Sequence, residues 1–327
     1  MKEMDEILKL FPLSLRKLLG EMDFGKLQEI RLRAFGPLLL QYEGQEWFVS
    51  RERGLAAVKE MTGVTDAYIV EPREIRETLE AVGRYSLYAY EEELRQGFLT
   101  IQGGHRIGVA GKTVLEGDKV RNMKNISFLN VRLSHQIKGC GDSALPFLYR
   151  EDGQLCHTLI VSPPRCGKTT LLRDLIRQIS DGSRGHPGHT VGVVDERSEI
   201  AGCYQGIPGN DVGIRTDVLD CCPKAEGMMM LIRSMSPQVV AVDEIGGLEE
   251  IHSIEAVLHC GCRLLATVHG SSMEDMQRKP LLKQLVQDRV FERYIILQNQ
   301  ERIGQIRQIL DEKGQVLYGA GRGGRIC

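Results

Sequence analysis

The stretch L-I-V-S-P-P-R-C-G-K-T-T-L-L, Leu159 to Leu172, decides how the rest of the chain is read. Leu159, Ile160, Val161 and the small Ser162 have the character of a buried strand. A tight loop of Pro163, Pro164, Arg165 and Cys166 ends in Gly167-Lys168-Thr169-Thr170. An apolar period at Leu171, Leu172, Leu175 and Ile176 then marks a helix. Strand, loop, helix is the order of a phosphate-binding P-loop, and residues 162–170 are expected to cradle a nucleotide. A helix start presents unpaired N–H groups and partial positive charge to a phosphate. Lys168 adds a full charge for the β- and γ-phosphates, and Thr169 is placed to ligate Mg²⁺. One position departs from G-x-x-x-x-G-K-[ST]: Ser162 stands where the first glycine should be. Forced strain there would cost on the order of 1–3 kcal/mol; Ser is small, and Pro163-Pro164 stiffens the loop.

Outward from this segment the rhythm is β-α-β-α. Strand 158–162 leads into helix 168–180, and strand 190–194 ends at Asp195-Glu196-Arg197. The stretch 201–222 reads as irregular, and a helix opened by Pro223 runs to Met235. Strand Val239–Val242 ends at Asp243-Glu244, a helix covers about 249–260, and strand Arg263–Val268 ends at His269. These apolar runs lack alternation, as parallel strands covered on both faces do. Their carboxyl ends form the ligand crevice of such sheets. Asp243 is therefore expected to hold Mg²⁺ opposite Thr169, and Glu244 to orient and deprotonate the attacking water. Thr267 or His269 is placed to sense the γ-phosphate. Glu196 could meet metal-bound water or hold Arg197 in an ion pair. No obvious cation of this half joins Lys168, so an arginine delivered from elsewhere is expected, with Arg106 and Arg132 first and Arg31 and Arg33 second.

The N-terminal part has a different texture. Residues 1–20 suggest two short helical pieces around Pro12, and Ile30–Arg33, Leu38–Leu40 and Trp47–Val49 suggest strands. Pro72 opens a helix to about Val82, and a second helix is expected from Leu87 to Leu94 with Ser86 as its cap. Phe98–Ile101 and Arg106–Ala110 flank Gly103-Gly104 as a hairpin, followed by a strand from Asn125 to Leu133. The expected organisation is an α+β domain over 1–135, a linker over 136–145, the P-loop domain over 146–318 and a flexible tail over 319–327. The chain finishes with a strand at 294–297 and a hairpin around Asp311–Gly314.

With 327 residues the chain is long enough for two domains. The 42 Lys and Arg against 44 Asp and Glu give a net charge of −2, which argues against a nucleic-acid partner, whose binders usually show a basic stripe. No apolar run approaches the roughly 18 residues that span a bilayer, and the charged N-terminus lacks a signal-peptide core, so a cytoplasmic protein is expected. Nine scattered cysteines read as reduced thiols. Cys221-Cys222 and Cys260-x-Cys262 have the wrong spacing for structural zinc.

The phosphate loop, the Glu196 strand, Asp243-Glu244 and His269, in that order, resemble the secretion-type traffic ATPases. Glu196 with Asp195 and Glu199 matches their "Asp box", Glu244 their Walker B glutamate and His269 their "His box". A closer resemblance is to the stage III sporulation protein AA family. It rests on E-I-R-L-R (29–33), G-G-H-R-I-G-V-A-G (103–111), P-P-R-C-G-K-T-T (163–170), D-E-R-S-E-I-A-G (195–202) and I-R-S-M-S-P-Q-V-V-A-V-D-E-I-G (232–246). The resemblance implies an α/β fold: a RecA-like P-loop ATPase core with a mainly parallel sheet, behind a smaller α+β domain. It also implies ATP and Mg²⁺, a homo-oligomeric ring, a hexamer in the secretion ATPases, and membrane channel proteins as partners. Arg106 and Arg132 match the finger arginines of relatives. Asp243 precedes the glutamate where many secretion ATPases have Gly. A nucleic-acid translocase shares the same core, and a nucleotide-gated scaffold with little turnover is a third reading.

Overall fold

Alternation of buried and partly exposed residues builds the first half. In β1 (Leu27–Arg33), Leu27, Ile30 and Leu32 are fully buried while Arg31 and Arg33 stay partly exposed. The computed structural model describes residues 6–50, 54–57, 66–83, 94–95, 97–117, 119–183, 185–298 and 304–319. The chain divides into two units, Met1–His135 and Gln136–Cys327. Around β1 the first unit adds β2 (Leu39–Tyr42), β3 (Gln45–Ser50), β4 (Gly54–Ala57), β5 (Phe98–Ile101), β6 (His105–Glu116) and β7 (Lys119–Arg132). They form one antiparallel sheet in the order β4-β3-β2-β1-β7-β6-β5.

Gly103 and Gly104 take φ of 88° and 72° at the β5–β6 turn, the left-handed backbone that glycine adopts without a Cβ clash. The β6–β7 ribbon is longer than the sequence suggested, and Arg106 faces Arg132 across it. Helices α1 (Leu13–Leu19) and α2 (Pro72–Val82) supply Leu15, Leu19, Ile75 and Leu79 to the core. The start of α2 is fixed by Glu74, whose Oε2 accepts the Glu71 N–H at 2.9 Å. The expected helix 87–94 falls outside the described residues except for Leu94, as does the tail beyond Gly319.

The second unit is an eight-stranded, mainly parallel sheet. Its strands are β8 (Thr158–Ser162), β9 (Val191–Asp195), β10 (Thr216–Asp220), β11 (Val239–Val242), β12 (Arg263–His269), β13 (Arg293–Leu297), β14 (Ile306–Asp311) and β15 (Val316–Gly319). The order is β10-β9-β11-β12-β8-β13-β14-β15, parallel from β10 through β13 and antiparallel at β14 and β15. Strand β10 corrects the expectation of an irregular 201–222. It is an edge strand whose Thr216-Asp217-Val218-Leu219-Asp220 lacks a buried apolar run, so its place comes from backbone pairing with β9.

Side chains of the central strands alternate between two cores. Ile160, Val193, Ala241 and Leu265 meet α3 (Lys168–Asp181) through Leu171, Leu172, Leu175, Ile176 and Ile179. Leu159, Val161, Val194, Val240 and Val242 meet α4 (Lys224–Ser234) and α5 (Leu248–His259) through Met228, Leu231, Ile251, Ile254 and Val257. Burying each Val, Leu, Ile or Met among them contributes about 1.5–3 kcal/mol. Two short helices, α6 (Met273–Arg278) and α7 (Pro280–Gln287), precede β13. Residues 136–145 are tied to this unit: Gly141 N–H donates to Asp174 Oδ2 at 2.8 Å, and Gln136 Nε2 donates to the Asp211 carbonyl at 2.6 Å. Among the described residues no helix is long and apolar enough to cross a membrane.

Candidate functional site

Parallel register brings four strand ends to one edge. Ser162 is opposite His269, Val242 is opposite both Ala266 and Val194, and Asp195, Asp243 and Glu244 follow directly. Ser162 is a buried strand residue whose Oγ donates to the Pro163 carbonyl at 2.8 Å. The left-handed backbone of the loop falls instead on Arg165, φ 62°, and Gly167, φ 87°. Ser162 is therefore not among the residues with positive φ, and the missing first glycine carries no such penalty. Pro163 is partly exposed, Pro164 and Arg165 are exposed, and Cys166 is buried with its carbonyl taking the Gly304 N–H at 2.9 Å. Gly167 caps α3, so Lys168, Thr169 and Thr170 form its first turn, where N–H groups have no intrahelical acceptor.

The loop and the β11 tip meet. Lys168 Nζ lies 2.6 Å from Glu244 Oε1 and 3.4 Å from Asp243 Oδ1. Thr169 Oγ1 donates to Asp243 Oδ2 at 2.6 Å, and Thr267 donates to Asp243 Oδ1. His269 Nε2 is 2.7 Å from Glu244 Oε1, and Arg197 Nη1 is 3.0 Å from Oε2. Burial alone would raise the Glu244 pKa, but the Lys168 hydrogen bond and the charges of Lys168, His269 and Arg197 hold it below the usual carboxylate range. Beside it lies a narrow cleft lined by Asp195, Glu196, Arg197, Glu199, Lys224, Asp243 and Glu244.

Two expectations change. The site does carry cations of its own half besides Lys168: Arg197 pairs with Glu244, and Lys224 with Glu196 at 3.1 Å. Glu196 accordingly does not hold Arg197. Neither partner choice was legible, because both depend on how the turns after β9 and β11 fold toward each other. Asp195 acts locally. Buried, it accepts the N–H groups of Glu199, Ile200 and Ala201 at 2.8, 2.9 and 2.8 Å. Burial raises its pKa against those three bonds. The same turn is gripped from α3 by Arg173, whose guanidinium donates to the Glu199 carbonyl at 2.6 Å and to that of Ile200.

In the first unit, Arg106 lies over the Phe98 ring at 3.8 Å. Arg132 Nε is 3.4 Å from Glu29 Oε1, and Arg31 pairs with Glu29 at 2.7 Å. The eight described cysteines carry free thiols.

Known proteins agree with this architecture. A solved chain, the ATPase DotB of Legionella pneumophila, superposes with a TM-score of 0.55 at 16% identity, covering 87% of this chain and 75% of that one. The pilus retraction motor PilT with bound ADP gives 0.52 at 14% identity, covering 90% and 80%. The fold is thus that of the P-loop secretion ATPases, with a sheet-rich N-terminal unit ahead of the mostly parallel sheet. In sequence, the stage III sporulation protein AA of Bacillus subtilis (strain 168) is 41% identical over 317 residues, 96% of this chain and 97% of that protein. The family profile described as "Sporulation stage III, protein AA" matches residues 1–317, and the chain belongs to that family.

Proposed function

We propose that this protein is an ATP-hydrolysing motor of a secretion- or channel-type apparatus, cytoplasmic and held at a membrane through protein partners. The observation that carries the reading is the meeting of the phosphate loop with the strand tip: Lys168 on Glu244 at 2.6 Å and Thr169 on Asp243 at 2.6 Å. Those four groups serve one triphosphate or they serve none.

Thr169 and Asp243 offer adjacent hard oxygens of the kind Mg²⁺ takes, and they would hold it with the nucleotide; the ion would neutralise phosphate charge. Residues 162–167 wrap the phosphates, and the first turn of α3 presents its N–H groups to them. Lys168 turns from Glu244 to the terminal phosphates. That move has a consequence for the base. Lys168 is the leading favourable partner holding the Glu244 pKa down, so its departure raises the proton affinity of Glu244 as ATP arrives. Glu244 then accepts a proton from the attacking water, with His269 and Arg197 orienting its two oxygens. Thr267 holds Asp243. Glu196 lines the same cleft.

Arg106 and Arg132, register partners on β6 and β7, are the proposed fingers to the γ-phosphate of a neighbouring copy in a ring, a hexamer as in secretion ATPases. Channel-forming membrane proteins are the proposed mechanical partners. The test is ATP turnover against protein concentration, with particle size measured with and without ATP. Turnover that rises per chain with concentration supports a site completed between copies. Lys168→Ala is expected to abolish tight ATP binding, and retention of tight binding would refute the assignment. Stimulation by single-stranded DNA would favour the translocase.

A further inference from the structure

Lys224 lies outside the hydrolytic set proposed above, yet its side chain is only 10% exposed. It is the first residue of α4. The helix dipole places partial positive charge there, so a buried ammonium is disfavoured twice unless each of its three donors is met. Three acceptors meet it. The Glu244 carbonyl accepts at 2.8 Å, Glu196 Oε2 lies at 3.1 Å and Glu250 Oε1 at 3.2 Å. Glu250 is itself anchored, its Oε2 accepting the N–H groups of Gly246 at 2.6 Å and Gly247 at 2.9 Å. One ammonium thus joins the turn after β9, the turn after β11 and the start of α5.

What it joins is unusual backbone. Glu244 has φ of 56°, a left-handed conformation that a residue with a side chain keeps only where its surroundings hold it. The holding groups are on both sides: the Glu244 N–H donates to Thr267 Oγ1 at 2.9 Å, and its carbonyl takes Lys224. This twist aims the carboxylate at Lys168, His269 and Arg197 rather than along the sheet edge.

We infer that Lys224 is a positioning residue for hydrolysis: by clamping the Glu244 carbonyl in the left-handed turn, it aims the general base, without itself touching nucleotide. The inference rests on the ATPase reading. It separates turnover from binding, because the phosphate loop and α3 carry none of the three Lys224 contacts.

The experiment compares full-length wild type, Glu244→Gln, Lys224→Met and Lys224→Arg, reading kcat and ATP affinity separately. Lys224→Met is expected to lower kcat by about 100-fold, the scale of a mispositioned catalytic group, with ATP affinity kept or raised, since a mis-aimed Glu244 competes less for Lys168. Lys224→Arg should restore part of that loss, since a guanidinium keeps the charge but spreads its donors in a planar fork. Wild-type kcat in folded Lys224→Met overturns the inference, and so does a matching fall in kcat and affinity. Where Lys224→Met fails to fold, Lys224→Arg decides: reduced kcat at undiminished affinity supports the positioning role, and wild-type kcat overturns it. Full turnover in Glu244→Gln would instead remove the ATPase assignment of Glu244, and this inference with it.

Discussion

Glu244→Gln is the sharpest perturbation of the site, because it changes charge and almost nothing of shape. Glu244 binds Lys168 at 2.6 Å, and the two side chains are 24% and 10% exposed. A hydrogen bond to a charged group in such surroundings is worth about 1.5–3 kcal/mol net. Under the proposed function, ATP must break it to recruit Lys168. A glutamine amide oxygen still accepts from Lys168, but without the ionic part, so about 1 kcal/mol of that competition disappears. The variant is therefore expected to bind ATP about fivefold more tightly. Its turnover should fall by about 10²–10⁴, the share a positioned general base supplies, which is about 3–5 kcal/mol of barrier. Titration with a fluorescent ATP analogue gives the first quantity, and phosphate release at saturating ATP gives the second. Turnover close to wild type would refute the role of Glu244. Weaker binding would refute the competition between Glu244 and phosphate for Lys168.

Three further outcomes test the surrounding architecture. Asp195→Ala strips the acceptor from three N–H groups at 2.8–2.9 Å and should lower stability by about 3 kcal/mol in denaturant unfolding; an unchanged midpoint would mean the 196–201 turn is held without it. In Gly227→Ala, a Cβ would lie 2.5 Å from Val194 Cγ1, so overpacking of about 1–3 kcal/mol should outweigh the propensity gain of up to about 1 kcal/mol and lower Tm. A raised Tm would show that α4 can move away from β9. Acid should also destabilise the protein through two imidazoles. Burial, with His135 beside one and Arg263 beside the other, lowers the His105 and His157 pKa values to about 4. Each Nδ1 accepts a backbone N–H, from Ser134 at 2.9 Å and Leu264 at 3.1 Å. With folded values below the unfolded 6.5, the stabilisation is complete above that pH and is lost as pH falls toward 4. Between pH 7 and 5 each should cost about 2 kcal/mol. Stability that stays flat over that range would contradict the assignment.

Much of the fold could be read because it rests on local patterning. The runs Leu159–Ser162, Val239–Val242 and Arg263–Val268 are strands in the structure, as their unbroken apolar character predicts, and α3 begins at the lysine that the loop pattern marks. Strand β10 was illegible for the converse reason: an edge strand covered on one face needs no apolar run. Ser162 raised a doubt that only backbone geometry removed, since the positive φ sits at Arg165 and Gly167.

By itself the sequence determined a strand, a phosphate loop and a helix, the acidic pair at a later strand end, and a family pattern spread over most of the chain. These depend on neighbours a few residues apart, or on the shared period of a sheet. Tertiary structure alone decided that Arg197 faces Glu244 and that Lys224 binds the Glu244 carbonyl, across 47 and 20 positions of sequence. Turns after parallel strands can lean several ways at little local cost. Which cation a carboxylate meets is therefore settled only when the whole sheet edge is assembled.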